Sequence, residues 1–140
     1  MIQPTSLVAR ALDGAPLALD HFPAAGGTSA PNVPILLVHG YAQNRWTFHH
    51  PTRSLAEHLA GRGHDTFVAE LRGHGRSRAL GAPLPQGVRD YLDLDLPGLL
   101  GELRSRTGAA RGLLLGHSLG GLLCLLLAGS RPEEVAGVCA

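Results

Sequence analysis

A serine sits in a short segment whose glycine spacing suits a tight turn from a strand into a helix. Gly116-His117-Ser118-Leu119-Gly120 separates a continuous apolar run from a second apolar stretch. Glycine is needed two residues before and two residues after the serine, because a Cβ there would strike the neighbouring strand or helix. Such a turn exposes the hydroxyl beside the amino end of the helix, where negative charge is favoured. The pattern predicts Ser118 as a nucleophile, supported by Gly116, His117 and Gly120.

A second segment could supply the donors that acyl-transfer chemistry needs. Val38-His39-Gly40-Tyr41 follows another buried apolar run. The tetrahedral oxyanion takes two N–H donors, one from the residue after the nucleophile and one from a loop on a neighbouring strand. We therefore predict the backbone amides of Leu119 and Tyr41 as the donors. Gly40 would let this loop approach a substrate without a side chain in the way.

Strands and helices alternate along the chain, and this order predicts how the two segments are positioned. Expected strands are a hairpin over 5–22 and apolar runs at 35–38, 66–69, 112–115 and 135–140; expected helices are 51–59, a segment capped by Asp95 that ends at Gly108, and 119–128. Residues 23–34 are predicted to form a loop from their composition. Strand-helix alternation predicts an α/β fold with a mostly parallel sheet flanked by helices, whose chemistry lies at the carboxyl ends of the strands.

Composition and charge argue against several other classes of protein. The chain has 12 basic and 11 acidic residues, which give a net charge of +1. All 12 basic residues are arginines, and they are spread along the chain. A nucleic-acid surface needs a clustered basic face, so no nucleic-acid partner is expected. The histidines lack recognised zinc spacing and there is no lysine for a phosphate loop, so neither a metal nor an organic cofactor is expected. Residues 112–129 carry no formal charge, but the glycines and polar side chains at their centre argue against a stable membrane span.

Three motifs together give this chain a resemblance to the α/β-hydrolase family. They are Leu-Leu-Val-His-Gly-Tyr at 36–41, Leu-Arg-Gly-His-Gly-Arg-Ser at 71–77 and Leu-Gly-His-Ser-Leu-Gly-Gly at 115–121. The resemblance implies an α/β-hydrolase fold truncated after about the sixth strand. Residues 1–140 would then be the amino-terminal part of a single domain, with the hairpin at 5–22 and the core strands and helices at 33–140. It also implies an acyl-enzyme at Ser118, oxyanion donors at Leu119 and Tyr41, and a bracing role for His39.

The residues after Ser118 depart from the family pattern. The family places its acid and its histidine after the nucleophile. Here only Glu133 and Glu134 follow it, ahead of the last strand and therefore far below the site. His39, His74 and His117 fall at carboxyl ends of predicted strands and remain alternative bases, each of which would have to come within ~3 Å of Ser118 Oγ. We expect the chain as given to be incomplete and inactive by itself.

Two functions from different classes fit this sequence. The favoured one is an esterase- or lipase-like serine hydrolase that acts on ester, lipid or related acyl bonds of a small molecule. The alternative is a non-catalytic α/β module that binds an acyl or carboxylate ligand, or a partner strand.

Because the amino terminus lacks a basic region followed by an apolar core, a cytoplasmic location is expected. Self-association is expected through the apolar strand edge at 135–140.

Overall fold

A six-stranded sheet forms the centre of the computed structural model, which describes residues 1–26 and 32–140. Its strands are β1 (Thr5–Arg10), β2 (Pro16–Phe22), β3 (Ile35–Val38), β4 (Thr66–Ala69), β5 (Gly112–Gly116) and β6 (Val135–Cys139). They lie in the order β1-β2-β4-β3-β5-β6. The first hairpin and the β2–β4 pair are antiparallel, whereas β4, β3, β5 and β6 run parallel. The predicted α/β fold with a mostly parallel sheet is confirmed. The loop predicted at 23–34 falls partly outside the described residues.

The described residues contain five α-helical segments outside the sheet. They are α1 (Leu55–Gly61), α2 (Gly75–Ala79), α3 (Val88–Asp90), α4 (Leu96–Thr107) and α5 (Leu119–Ser130). A π-helical turn, Tyr91–Asp95, joins α3 to α4. A 3-10 turn at Arg45–Thr47 is followed by a small antiparallel ladder between His49–His50 and Arg53–Ser54.

The strand β3 shows why helices are needed on both faces of the sheet. All four of its side chains are buried. Leu36 and Val38 join the larger core cluster, which includes residues of α4 and α5. Ile35 and Leu37 belong to a second cluster on the other face, formed with α1. A short, wholly apolar strand is therefore covered from both sides, as a parallel sheet requires.

The first helix begins four residues later than the apolar pattern predicts. Ser54 caps it, because the Ser54 hydroxyl accepts a hydrogen bond from the Glu57 amide at 3.0 Å. Ala56 and Ala60 are the buried residues of α1, whereas Leu55 is exposed. Small side chains let this helix pack closely on the sheet, and the serine cap sets its start.

A helix, α4, follows Asp95 and ends before Gly108 as predicted, but the expectation that the Asp95 side chain caps this helix is wrong. Asp95 is fully buried and makes no cap with its side chain. Its carboxylate accepts hydrogen bonds from the Arg72 amide at 2.9 Å and from Arg72 Nε at 2.7 Å. Asp95 is the last residue of the π-helical turn before α4, and its carboxylate binds Arg72 in the loop after β4 instead of capping the helix.

The uncharged stretch at 112–129 is divided between β5 and α5 by the turn at Ser118. In the parts of the chain that the structure describes, no helix is long and apolar enough to cross a membrane.

Candidate active site

Ser118 occupies a strained turn between β5 and α5. Its backbone has φ 57° and ψ −121°, and Ala42 is the other non-glycine residue with positive φ among those described. A non-glycine residue in such a conformation costs on the order of 1–3 kcal/mol, which the packed strand and helix must offset. The side chain is exposed. The turn therefore presents the hydroxyl at the carboxyl end of β5.

Two glycines allow this turn, which we call the elbow (residues 116–120). A Cβ on Gly116 would overlap the backbone of Gly120. A Cβ on Gly120 would overlap the carbonyl groups of Val38 and His39, at the end of β3. The strand, the elbow and the helix can approach this closely only because both positions lack a side chain.

The loop after β3 (residues 39–45, the β3 loop) packs against the elbow. Val38 and Gly116 are register partners on adjacent parallel strands, and the His117 amide donates to the Val38 carbonyl at 3.1 Å. A Cβ on Gly40 would lie 3.1 Å from Ser118 Cβ, so the two segments are in close contact. Tyr41 and Leu119 therefore follow the ends of neighbouring strands. Leu119 begins α5, where an amide has no acceptor within the helix.

Three side chains hold the β3 loop in place. Gln43 Oε1 accepts from the Gly40 amide at 2.9 Å. The Ala42 amide, in its strained conformation with φ 56°, donates to His74 Nε2 at 3.2 Å. The Arg45 amide donates to the buried carboxylate of Glu70 at 3.3 Å. This loop is therefore preorganised by its own contacts and by the loop after β4.

His39 is a buried brace of the β3 loop. Its Nδ1 lies 2.8 Å from the Gly40 carbonyl, which can only accept, and its Nε2 accepts from the Leu71 amide at 3.1 Å. Burial lowers the pKa of His39 to about 4, so the ring is neutral at neutral pH. With both nitrogens engaged, His39 can act on Ser118 only by breaking these bonds.

His74 is engaged in the same way. Its Nδ1 lies 2.9 Å from the Arg72 carbonyl, and its Nε2 accepts from Ala42. His117 is exposed, and its Nδ1 lies 3.0 Å from Gln43 Oε1. Of the three histidines that the sequence leaves open as bases, two thus serve as braces.

The glutamates that follow the nucleophile lie at the opposite end of the sheet. Glu134 directly precedes β6 and forms ion pairs with Arg104 at 3.2 Å and Arg131 at 3.5 Å. Its carbonyl accepts from the Gly112 amide, at the amino end of β5. This carboxylate therefore cannot orient a base at Ser118. Among residues 1–26 and 32–140, no group of three His, Cys, Asp or Glu side chains could hold a metal ion.

Sequence reasoning missed a buried charge network beside the β3 loop. Glu70 is fully buried and accepts from Arg76 Nε at 2.7 Å. Arg76 also donates two hydrogen bonds to Asp20, at 2.9 and 2.8 Å. A carboxylate directly after the apolar strand β4 was the signal that could have found it, because a buried charge needs a partner.

A cleft of about 330 Å³ opens beside the β3 loop. Its lining is mostly aromatic and apolar and comprises Tyr41, Ala42, Gly73, His74, Leu84, Pro85 and Tyr91. Such walls suit an apolar arm of a small ligand.

A mostly parallel sheet that carries a strained serine between a strand and a helix has the architecture of an α/β hydrolase. Residues 33–140 match the family model described as alpha/beta hydrolase fold. The chain therefore belongs to the α/β-hydrolase-fold family.

Individual relatives differ in their described activities. The chain is 33% identical over 115 residues to the dihydrolipoyllysine-residue acetyltransferase component of an acetoin cleaving system from Pseudomonas putida, covering 81% of this chain and 26% of that protein. It is 30% identical over 116 residues to human lipase member K, and the match covers 76% of this chain and 29% of that lipase. A mutant of an epoxide hydrolase from Vigna radiata superposes with a TM-score of 0.71 at 21% identity, covering 98% of this chain and 38% of that one. The chain thus spans less than two fifths of the length of these three proteins.

Proposed function

We propose that Ser118 is the nucleophile of an acyl hydrolase acting on ester, lipid or related acyl bonds, with the amides of Tyr41 and Leu119 as its oxyanion donors. The strained backbone of Ser118 is the observation that carries this proposal, because strain at an exposed serine beside free amides is typical of a functional site. The similarity to a human lipase favours acyl bonds among the bonds that hydrolases cleave.

The reaction has two steps. Ser118 Oγ attacks the acyl carbon while a base removes its proton, and the negative charge that forms on the carbonyl oxygen is stabilised by the two amides. The alcohol leaves with a proton, and water then releases the acid from the acyl-enzyme. The cleft beside Tyr41 would take an apolar arm of the substrate.

The base is the part of this mechanism that the described residues do not supply. His39 and His74 have both ring nitrogens engaged, and Glu134 lies at the far end of β5. His117 keeps Nε2 open, but its Nδ1 contacts the Gln43 amide oxygen and not the carboxylate that orients an effective base. A serine without a base is a poor nucleophile at neutral pH. We therefore expect the 140-residue chain to need a base from outside these residues.

Chemical rescue tests this function on the chain as it exists. The chain is mixed with p-nitrophenyl butyrate, with and without imidazole in solution, and intact mass with peptide mapping locates any butyryl group. We expect one butyryl group on Ser118, formed faster with imidazole and absent in Ser118→Ala.

The other outcomes argue against the proposal. Butyryl groups on other residues, or an equal amount on the Ser118→Ala chain, would contradict it. Saturable binding of butyrate without any adduct at Ser118 would favour the non-catalytic binding module instead.

A further inference from the structure

A single side-chain oxygen joins the β3 loop to the elbow. Gln43 Oε1 lies 2.9 Å from the Gly40 nitrogen and 3.0 Å from His117 Nδ1. The hydroxyl of Thr47 makes a third, longer contact with the same oxygen, at 3.3 Å. Gln43 and His117 are 74 residues apart in the sequence, so their contact is a tertiary one that joins the loop after β3 to the elbow after β5.

The chemistry of these neighbours determines which atoms carry protons. The Gly40 amide can only donate, so the group 2.9 Å from it must be the oxygen of the Gln43 amide. His117 Nδ1 faces that same oxygen and must therefore carry a proton. In the neutral ring of His117 the proton is then on Nδ1, and Nε2 is left as an acceptor.

The position of this oxygen relates it to the oxyanion donors. Gly40 directly precedes Tyr41, and His117 lies two residues before Leu119. Gln43 thus contacts the residue before Tyr41 and the residue two before Leu119, in the two segments whose amides would hold the oxyanion. We propose that Gln43 is a positioning residue that sets the spacing between these amides, an inference that rests on the proposed function of Ser118.

The contacts that remain without Gln43 determine how much its loss slows the acylation of Ser118. The β3 loop and the elbow keep another link, the His117 amide to the Val38 carbonyl at 3.1 Å. Loss of Gln43 therefore displaces the Tyr41 amide without removing it. A misplacement of about 1 Å at a reacting centre costs about 100-fold in rate, so we expect Gln43→Met to slow acylation of Ser118 by about 10- to 100-fold. Methionine retains the length of the side chain and removes the amide group that makes the hydrogen bonds.

The test measures butyrylation of Ser118 by p-nitrophenyl butyrate with imidazole present, over a range of ester concentrations. The oxyanion forms only in the transition state, so Gln43→Met should lower the maximal rate while the half-saturating concentration changes less than about twofold. Thr47→Val is the matched control. It removes the longest of the three contacts and should leave the maximal rate within about twofold of the parent.

A spectroscopic measurement follows the contact independently of the chemistry. Nitrogen-15 NMR of the His117 ring should show Nδ1 protonated in the neutral ring of the parent and of Thr47→Val. That preference should be lost in Gln43→Met.

The outcomes separate this inference from the proposed function. A Ser118 adduct that forms equally fast in Gln43→Met and the parent would overturn the positioning role and leave the nucleophile in place. A rate loss shared by Thr47→Val, or a fall in rate caused only by weaker ester binding, would overturn it as well. If the parent forms no Ser118 adduct, both proposals fail together.

Discussion

Replacement of Gly120 by alanine tests how closely α5 approaches β3. The added Cβ would lie 2.6 Å from the His39 carbonyl oxygen and 2.8 Å from the Val38 carbonyl carbon, whereas ordinary van der Waals contact begins at 3.4 Å. Both neighbours are backbone atoms at the carboxyl end of the central strand β3, and neither can rotate away. The amino end of α5 must therefore withdraw by about 1 Å, and overpacking of this kind costs about 1–3 kcal/mol.

Gly129 provides the matched control in the same helix. A Cβ there has no heavy atom within 4 Å. Alanine is favoured over glycine by about 1 kcal/mol inside a helix, and somewhat less near its end. Both substitutions gain helix propensity, so the difference between the two variants mainly measures the steric cost. We expect Gly120→Ala to be less stable than Gly129→Ala by about 1–3 kcal/mol.

Urea unfolding followed by circular dichroism gives this difference directly. The two variants are compared with the parent at the same protein concentration. Equal stability of Gly120→Ala and Gly129→Ala would refute the close approach of α5 to β3 and, with it, the geometry of the elbow.

Three further predictions concern pH, strain and association. The His39 ring stays neutral in the folded chain down to pH about 4, whereas the unfolded chain binds the proton near pH 6.5, so stability is lost as pH falls through this window. Between pH 7 and pH 4.5 the parent should lose about 2 kcal/mol of unfolding free energy more than His39→Gln, measured by urea titration. Ser118→Gly should be more stable than Ser118→Ala by about 1 kcal/mol in thermal melts, because only glycine relieves the positive φ; equal melts would show that the turn is unstrained. Leu122, Leu125 and Leu126 are exposed on α5, so light scattering should show association of the parent that Leu122→Lys with Leu126→Lys reduces, and a monomeric parent would contradict this.

Local patterns in the sequence were sufficient to predict the parallel strands and the turn at Ser118. Four-residue apolar runs such as Ile35–Val38 indicate strands buried on both faces, and Gly116 has a local steric reason because a Cβ there would strike Gly120. The predicted start of α1 was wrong because Ser54 offered a cap that apolar spacing does not reveal.

The polar contacts of the site could not be predicted in this way. Asp95 binds Arg72 across 23 residues, and Gln43 meets His117 across 74. Such partners depend on which loops the sheet order brings together, and hydrophobic periodicity carries no information about them. The bracing role of His39 was expected from the family resemblance and not from the sequence pattern, and that of His74 became visible only from the donor and the acceptor around its ring.

The central claim is that Ser118 lies where the amides of Tyr41 and Leu119 can bind a developing oxyanion. A crystal structure of the chain after reaction with an alkyl p-nitrophenyl phosphonate, with imidazole present, tests it most directly, since the bound phosphonate mimics the tetrahedral intermediate. The account predicts phosphorus bonded to Ser118 Oγ, with the phosphonyl oxygen about 2.7–3.1 Å from both amide nitrogens. A phosphonate on another residue, or a phosphonyl oxygen on Ser118 that points to solvent away from both amides, would contradict it.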